Sequence, residues 1–246
     1  MKRPSQAPKP EESKPAFPMR INKYLAVQKY STRRGADELI KDGKVFINGR
    51  LAVLGDKVTE KDIVDVRFRG KQKPYIYIAY NKPKEIVTHS AQKGEKEIKH
   101  VVGIKDVYPI GRLDKDSHGL IILTNDGRIT ERLLGPTQKH EKEYLVKTKE
   151  KLRSSFKEKM EKGVKIESEF TAPCKVKILN DQTFKIILTE GKKHQIRRMC
   201  VALFQEVADL QRIRIMNIEL GNMPVGQFRN IEGEELQIFL ESLGLA

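Results

Sequence analysis

The 246-residue chain is poor in the groups that most often carry cofactor or metal chemistry. It has two cysteines, Cys174 and Cys200, far apart in sequence and without metal-ligand spacing. They read as reduced, packed thiols of a cytoplasmic protein. No His/Cys cluster is present, nor a Walker A lysine loop, nor a dinucleotide-binding glycine fingerprint, so no metal and no nucleotide cofactor is expected. There is no apolar stretch of about 18 residues and no leader in which charge is followed by an apolar run. Acid is also short: 33 Asp and Glu face 48 Lys and Arg, a formal charge of +15. Such an excess points to a polyanionic partner, because basic side chains that replace phosphate counterions gain affinity by releasing them. An anionic membrane surface would also account for the charge. A soluble cytoplasmic nucleic-acid binder is the leading reading.

Taken in order, residues 1–18 hold five prolines, several charges and few large apolar residues, the composition of a disordered tail that is either inert or a weak RNA-contacting arm. From Met19 the pattern changes. Ile21 and Leu25 lie four apart, as on a short amphipathic helix. Ser31 precedes a second helical run that carries Leu39 and Ile40 and stops at Gly43. Val45-Phe46-Ile47 and Leu51-Ala52-Val53 flank Asn48-Gly49, the strongest local signal for a tight hairpin, since both turn positions need positive φ. Residues 62–68 give a further alternating strand. Twelve Lys and Arg face seven Asp and Glu over residues 19–70, a net of +5. Residues 71–74 read as a linker, and residues 75–246 as a larger domain that opens with the strand Tyr75 to Tyr80 and the turn Asn81-Lys82-Pro83.

The stretch with most information is GRLDKDSHGLIILTNDG, residues 111–127. Its apolar run Leu120 to Leu123, bounded by turn residues on both sides, is the pattern of a buried strand. Such a strand can hold Asp114 rigidly at the rim of a core. By spacing alone Asp114 is a turn-former or a helix cap. Further on, Ile129 to Leu134 reads as a helix ended by Gly135-Pro136, and Lys142 to Val146 as a strand with Tyr144 in its middle. The stretch from Lys151 to Asp181 reads as a basic helix-like segment followed by strands around Cys174 to Lys177, with no chemistry standing out. FKIILTEGKKHQIRRM, from Phe184, reads as strand, Glu190-Gly191 turn and helix, and a C-terminal helix begins near Gly233.

Together these strings resemble the RsuA-type pseudouridine synthases, which convert uridine in RNA to its C-glycoside isomer. The phrases HEKEYLV, IRRMC and RIRIMN bring the chain nearest the RluF-like branch, which acts on large-subunit rRNA. Residues 19–70, with RINKYLA, STRRGADELIKDGKVFINGR and GDKV, resemble the small RNA-binding module named after ribosomal small-subunit protein S-four. The two likenesses cover residues 19–243 and imply an α+β protein: an S-four-type module, then a synthase domain on a mixed, mainly antiparallel sheet crossed by a cleft. They also imply roles. Asp114 of GRLD would be the nucleophile, Tyr144 the ring that stacks on the target uracil and removes its ring proton, and Arg197 the cation paired with Asp114. The reaction neither oxidises nor hydrolyses anything, which suits a chain without cofactor motifs. Arg20, Lys23, Arg33, Arg34, Lys44 and Arg50 would bind RNA phosphates. Arg112 would enter the gap left by the flipped base or grip its phosphate, or else form a structural salt bridge. In one place the family pattern is broken: Glu85 stands where Gly is usual, before a retained Ile86-Val87-Thr88. Three readings of function follow: isomerisation of an rRNA uridine by a monomer, the same chemistry on small-subunit rRNA or a tRNA, and a non-catalytic RNA-binding assembly factor.

Overall fold

The computed structural model describes residues 17–28, 30–31, 33–67, 74–135 and 138–245. Nearly all of the expected tail, the expected linker apart from Pro74, and Pro136 lie outside the described residues. The chain divides into two compact units, Met1–Lys73 and Pro74–Ala246.

In the first unit, helices Ile21–Val27 and Arg33–Lys41 pack together above a three-stranded sheet, Arg50–Leu51, Val45–Ile47 and Val64–Val66 in spatial order. The helices bury Ile21 and Leu25 from one, Ala36 and Ile40 from the other, each pair four apart and so on one face. Asn48 and Gly49 turn the hairpin with φ of 52° and 79°, both left-handed as a tight primed turn requires. The observed third strand, Val64–Val66, is shorter than the alternating run over 62–68 suggests.

The second unit is built on a nine-stranded sheet. Its main path runs Lys175–Asn180, Thr183–Leu188, Lys142–Thr148, Val207–Ile215, His118–Thr124, Tyr77–Lys82 and Phe228–Asn230. Every ladder of this sheet is antiparallel except that between His118–Thr124 and Val207–Ile215, so the sheet is mixed and mainly antiparallel as expected. The basic segment after Lys151 is one short helix, Phe156–Glu161, followed by strands.

His118–Thr124 is the middle of this unit. Leu120 and Ile122 point into one core cluster, Ile121 and Leu123 into another on the opposite face, which is why the apolar run has no alternation. Burying these four side chains stabilises the unit by roughly 6–12 kcal/mol at about 1.5–3 kcal/mol each. On one edge the strand pairs along its length with Tyr77–Lys82. On the other edge its partners change: His118 and Gly119 pair with Gln211 and Arg212, whereas Ile122 to Thr124 pair with strand Tyr108–Ile110. The sheet therefore forks at Leu120, and the loop 111–117 leaves from the fork.

Candidate active site

The loop 111–117 is fixed by its backbone. Gly111 opens it in the left-handed region, φ 78°. From Arg112 to Ser117, six consecutive carbonyls then accept hydrogen bonds. Arg112 O accepts from Arg212 Nη1 at 3.5 Å and Leu113 O from Thr88 Oγ1 at 2.8 Å. Asp114 O accepts from Ser117 N at 3.0 Å and Lys115 O from Glu85 N at 3.0 Å. Asp116 O accepts from Arg197 Nη2 at 3.2 Å and Ser117 O from Lys82 Nζ at 2.8 Å. Thr88 also accepts from Leu113 N at 3.1 Å, which gives the retained Val-Thr a physical task. Glu85, at φ 64°, holds the left-handed turn that a glycine adopts freely.

This scaffold presents the Asp114 carboxylate, about one third exposed, at the surface of the unit. The side chain facing it is His194, whose Nδ1 lies 3.3 Å from Asp114 Oδ2. The expected Arg197–Asp114 pair is not formed. Arg197 donates to the carbonyls of Asp116 at 3.2 Å and Val207 at 3.4 Å instead. The reason is position along the helix Gln195–Ala202: His194 is its N-cap, at φ 50°, and Arg197 is three residues further in, about 4.5 Å along the axis. The motif names the right helix end, but the imidazole faces the carboxylate and the guanidinium braces the loop behind it. The turn before this helix is itself tied down, with Gln195 accepting from Lys192 N at 2.8 Å and donating to Glu190 at 2.6 Å.

Tyr144 lies in strand Lys142–Thr148 between Ile186 and Arg212 of the neighbouring strands and packs against two core clusters. A bulge falls between Glu143 and Tyr144, a common device for re-aiming a side chain beside a site. Arg112 is exposed, and its side chain makes no ion pair among the described residues. In the first unit Arg20, Lys23, Arg33, Arg34 and Arg50 are exposed, while Lys44 is partly covered. Of these, Lys44 pairs with Asp42 at 2.8 Å and Arg50 with Asp56 at 2.9 Å.

Three residues beside the loop carry functional geometry that the sequence reading passed over. His194 is one. Lys82, read there as part of a turn, is fully buried at the end of strand Tyr77–Lys82, with Nζ bonded to the Pro83 and Ser117 carbonyls at 2.9 and 2.8 Å. Burial pushes its ammonium down to about 8, against the opposing pull of Asp114. Arg212 is buried across the fork, with Nε 2.6 Å from Leu120 O and Nη2 without a partner. A Lys after Asn and before Pro signals a turn, and only the wholly buried strand before it could have marked this one.

The loop thus carries the Asp114 carboxylate with His194 against it, while Arg197, Lys82 and Arg212 hold its carbonyls. Residues 76–202 match the family described as RNA pseudouridylate synthase, and residues 19–64 match the S4 domain. The chain belongs to the RNA pseudouridylate synthases, isomerases that act on RNA. It is 40% identical over 228 residues to the dual-specificity RNA pseudouridine synthase RluF of Escherichia coli (strain K12), spanning 90% of this chain and 78% of that one. It is 35% identical over 231 residues to ribosomal large subunit pseudouridine synthase B of Bacillus subtilis (strain 168), spanning 89% and 94%. A crystal structure of a pseudouridylate synthase superposes with a TM-score of 0.67 at 27% identity, over 92% of this chain and 99% of that one.

Proposed function

We propose that this protein isomerises a defined uridine of large-subunit ribosomal RNA, with Asp114 as the nucleophile. The observation that carries the reading is the Asp114 carboxylate held outward by a loop whose six carbonyls from Arg112 to Ser117 are all bound. Large-subunit RNA is favoured by the Bacillus subtilis relative, which is named for it. Small-subunit rRNA or a tRNA remains the second reading, and the relative named as dual-specificity favours keeping it.

In the reaction the bond between ribose C1′ and uracil N1 breaks, the ring turns, and C1′ joins C5. The C5 proton leaves and N1 gains one, so atoms and electrons balance without oxidant, reductant or water. Asp114 serves either by attacking C1′ or by taking the C2′ proton to give a glycal and returning it when C1′ joins C5. Tyr144 offers a flat face to the base and a hydroxyl for the C5 proton. The base must leave its stack, at a cost of a few kcal/mol that is least in an RNA loop. Arg112, exposed two residues before Asp114, suits the gap or the flanking phosphate. The exposed cations of the first unit add phosphate contacts. The protein works as a cytoplasmic monomer without cofactor.

Asp114→Asn is expected to abolish pseudouridine formation while leaving RNA affinity within a few-fold; turnover in that variant would remove Asp114 from the chemistry. Pseudouridine mapping of rRNA and tRNA from cells with and without the gene identifies the target. Loss of a large-subunit site supports the reading, loss of a tRNA or small-subunit site moves the substrate, and no lost site favours a binding-only assembly factor.

A further inference from the structure

We propose that Lys82 is a positioning residue for Asp114: its buried ammonium fixes the 114–117 turn through the Ser117 carbonyl and supplies the internal positive charge behind the carboxylate. The inference rests on the reading of Asp114 as the nucleophile and assigns to Lys82 part of the task that the motif gave to Arg197.

Four observations converge. Lys82 is wholly buried, where an ammonium is costly unless it is bonded and faced by negative charge. Its bonds go to Pro83 O and Ser117 O, and Ser117 N closes the turn onto Asp114 O, so the ammonium anchors the residue whose amide closes the nucleophile's turn. The adjoining turn is docked on the same loop through Glu85 N and Lys115 O. Finally, the charges facing Lys82 are Asp114, Asp116 and Glu85, which favour the ammonium, and Arg212, which opposes it. Among the acids Asp114 acts most strongly. A lysine kept only for packing would not need this setting, since an apolar side chain of similar length fills the space without desolvating a charge.

Because the Asp114 carboxylate favours the Lys82 ammonium, the contact can be read from the lysine. The intact protein would be labelled at lysine 13Cε, and the Lys82 resonance assigned by its absence from Lys82→Arg. Its midpoint is expected near 8 in the parent protein and lower in Asp114→Asn, which removes the neighbouring anion. An unchanged midpoint in that variant overturns the proposal, whether or not any Lys82 variant folds well. Single-turnover rates on a large-subunit rRNA transcript give the second readout. The parent rate is expected to fall as pH rises through about 8. Lys82→Arg should move that fall to higher pH, and Lys82→Met should be about tenfold slower at pH 7 with RNA affinity retained. A Lys82→Met protein that keeps the parent rate and alkaline profile also overturns it. Turnover by Asp114→Asn would instead defeat the assignment of the nucleophile, a failure distinguishable from this one.

Discussion

Glu85 shows how much a single backbone angle weighs. It adopts φ 64°, a region that glycine enters freely, and its amide still reaches Lys115 O. An L residue in this region costs about 1–2 kcal/mol, part of which glycine returns through its freer unfolded chain. Glu85→Gly should therefore stabilise the protein by roughly 0.5–1 kcal/mol, read as a higher midpoint in urea, with activity retained. The Glu85 carboxylate lies 3.8 Å from Lys115 and adds little at such exposure. Lys82 sets a second test at this scale. Its folded value lies near 8, below the ordinary 10.5, so between these the unfolded chain binds more protons and stability contributed by this group rises with pH. Relative to Lys82→Met, the parent protein should gain up to about 3 kcal/mol between pH 8 and 10; a flat difference in unfolding free energy would contradict the assignment. The GRLD string singles out Asp114 because it is contiguous, and the structure sets that carboxylate about one third exposed on its loop. The side chain facing it was not legible, because choosing between His194 and Arg197 depends on where the helix starts, and the three positions between them decide which one meets the carboxylate.

Among the elements, the fork in strand His118–Thr124 sets the position of everything near it. Gly119 sits on the short parallel contact at φ 104°, and a Cβ there would lie 2.3 Å from the Arg212 carbonyl oxygen and 2.8 Å from its nitrogen. Backbone atoms cannot give way as a side-chain tip does. Gly119→Ala is expected to destabilise by about 3 kcal/mol or more through overpacking and the strained φ, lowering the thermal midpoint and the yield of folded protein. The elements themselves were largely legible: Asn48-Gly49 carries its own turn chemistry, and Leu120 to Leu123 announces a strand buried on both faces. What no local pattern encodes is the pairing of Gly119 with Arg212, or the exchange of partners at Leu120. The first joins residues about ninety apart, and both emerge only once the whole sheet is assembled.

For the whole molecule, charge is the dominant fact. With +15 on 246 residues, RNA affinity should fall steeply with salt. Replacing Arg20, Lys23, Arg33 and Arg34 together by Gln should reduce the slope of log K against log salt by about 3, at roughly 0.7–0.9 per phosphate contact. The single-turnover rate at saturating RNA should stay within about twofold, since these residues belong to the first unit. An unchanged slope would place the electrostatic footprint in the synthase unit alone. The bound loop of that unit also bears on which partner bends. With every carbonyl from 112 to 117 engaged, the loop that carries Asp114 has little shape left to change. The work of deformation falls on the nucleic acid, so uridines compete by how cheaply their surroundings can be unfolded. On the proposed function the enzyme would then read a mechanical property of its substrate, and a sequence that stiffens the RNA around the target would protect it from modification with every recognised base still in place.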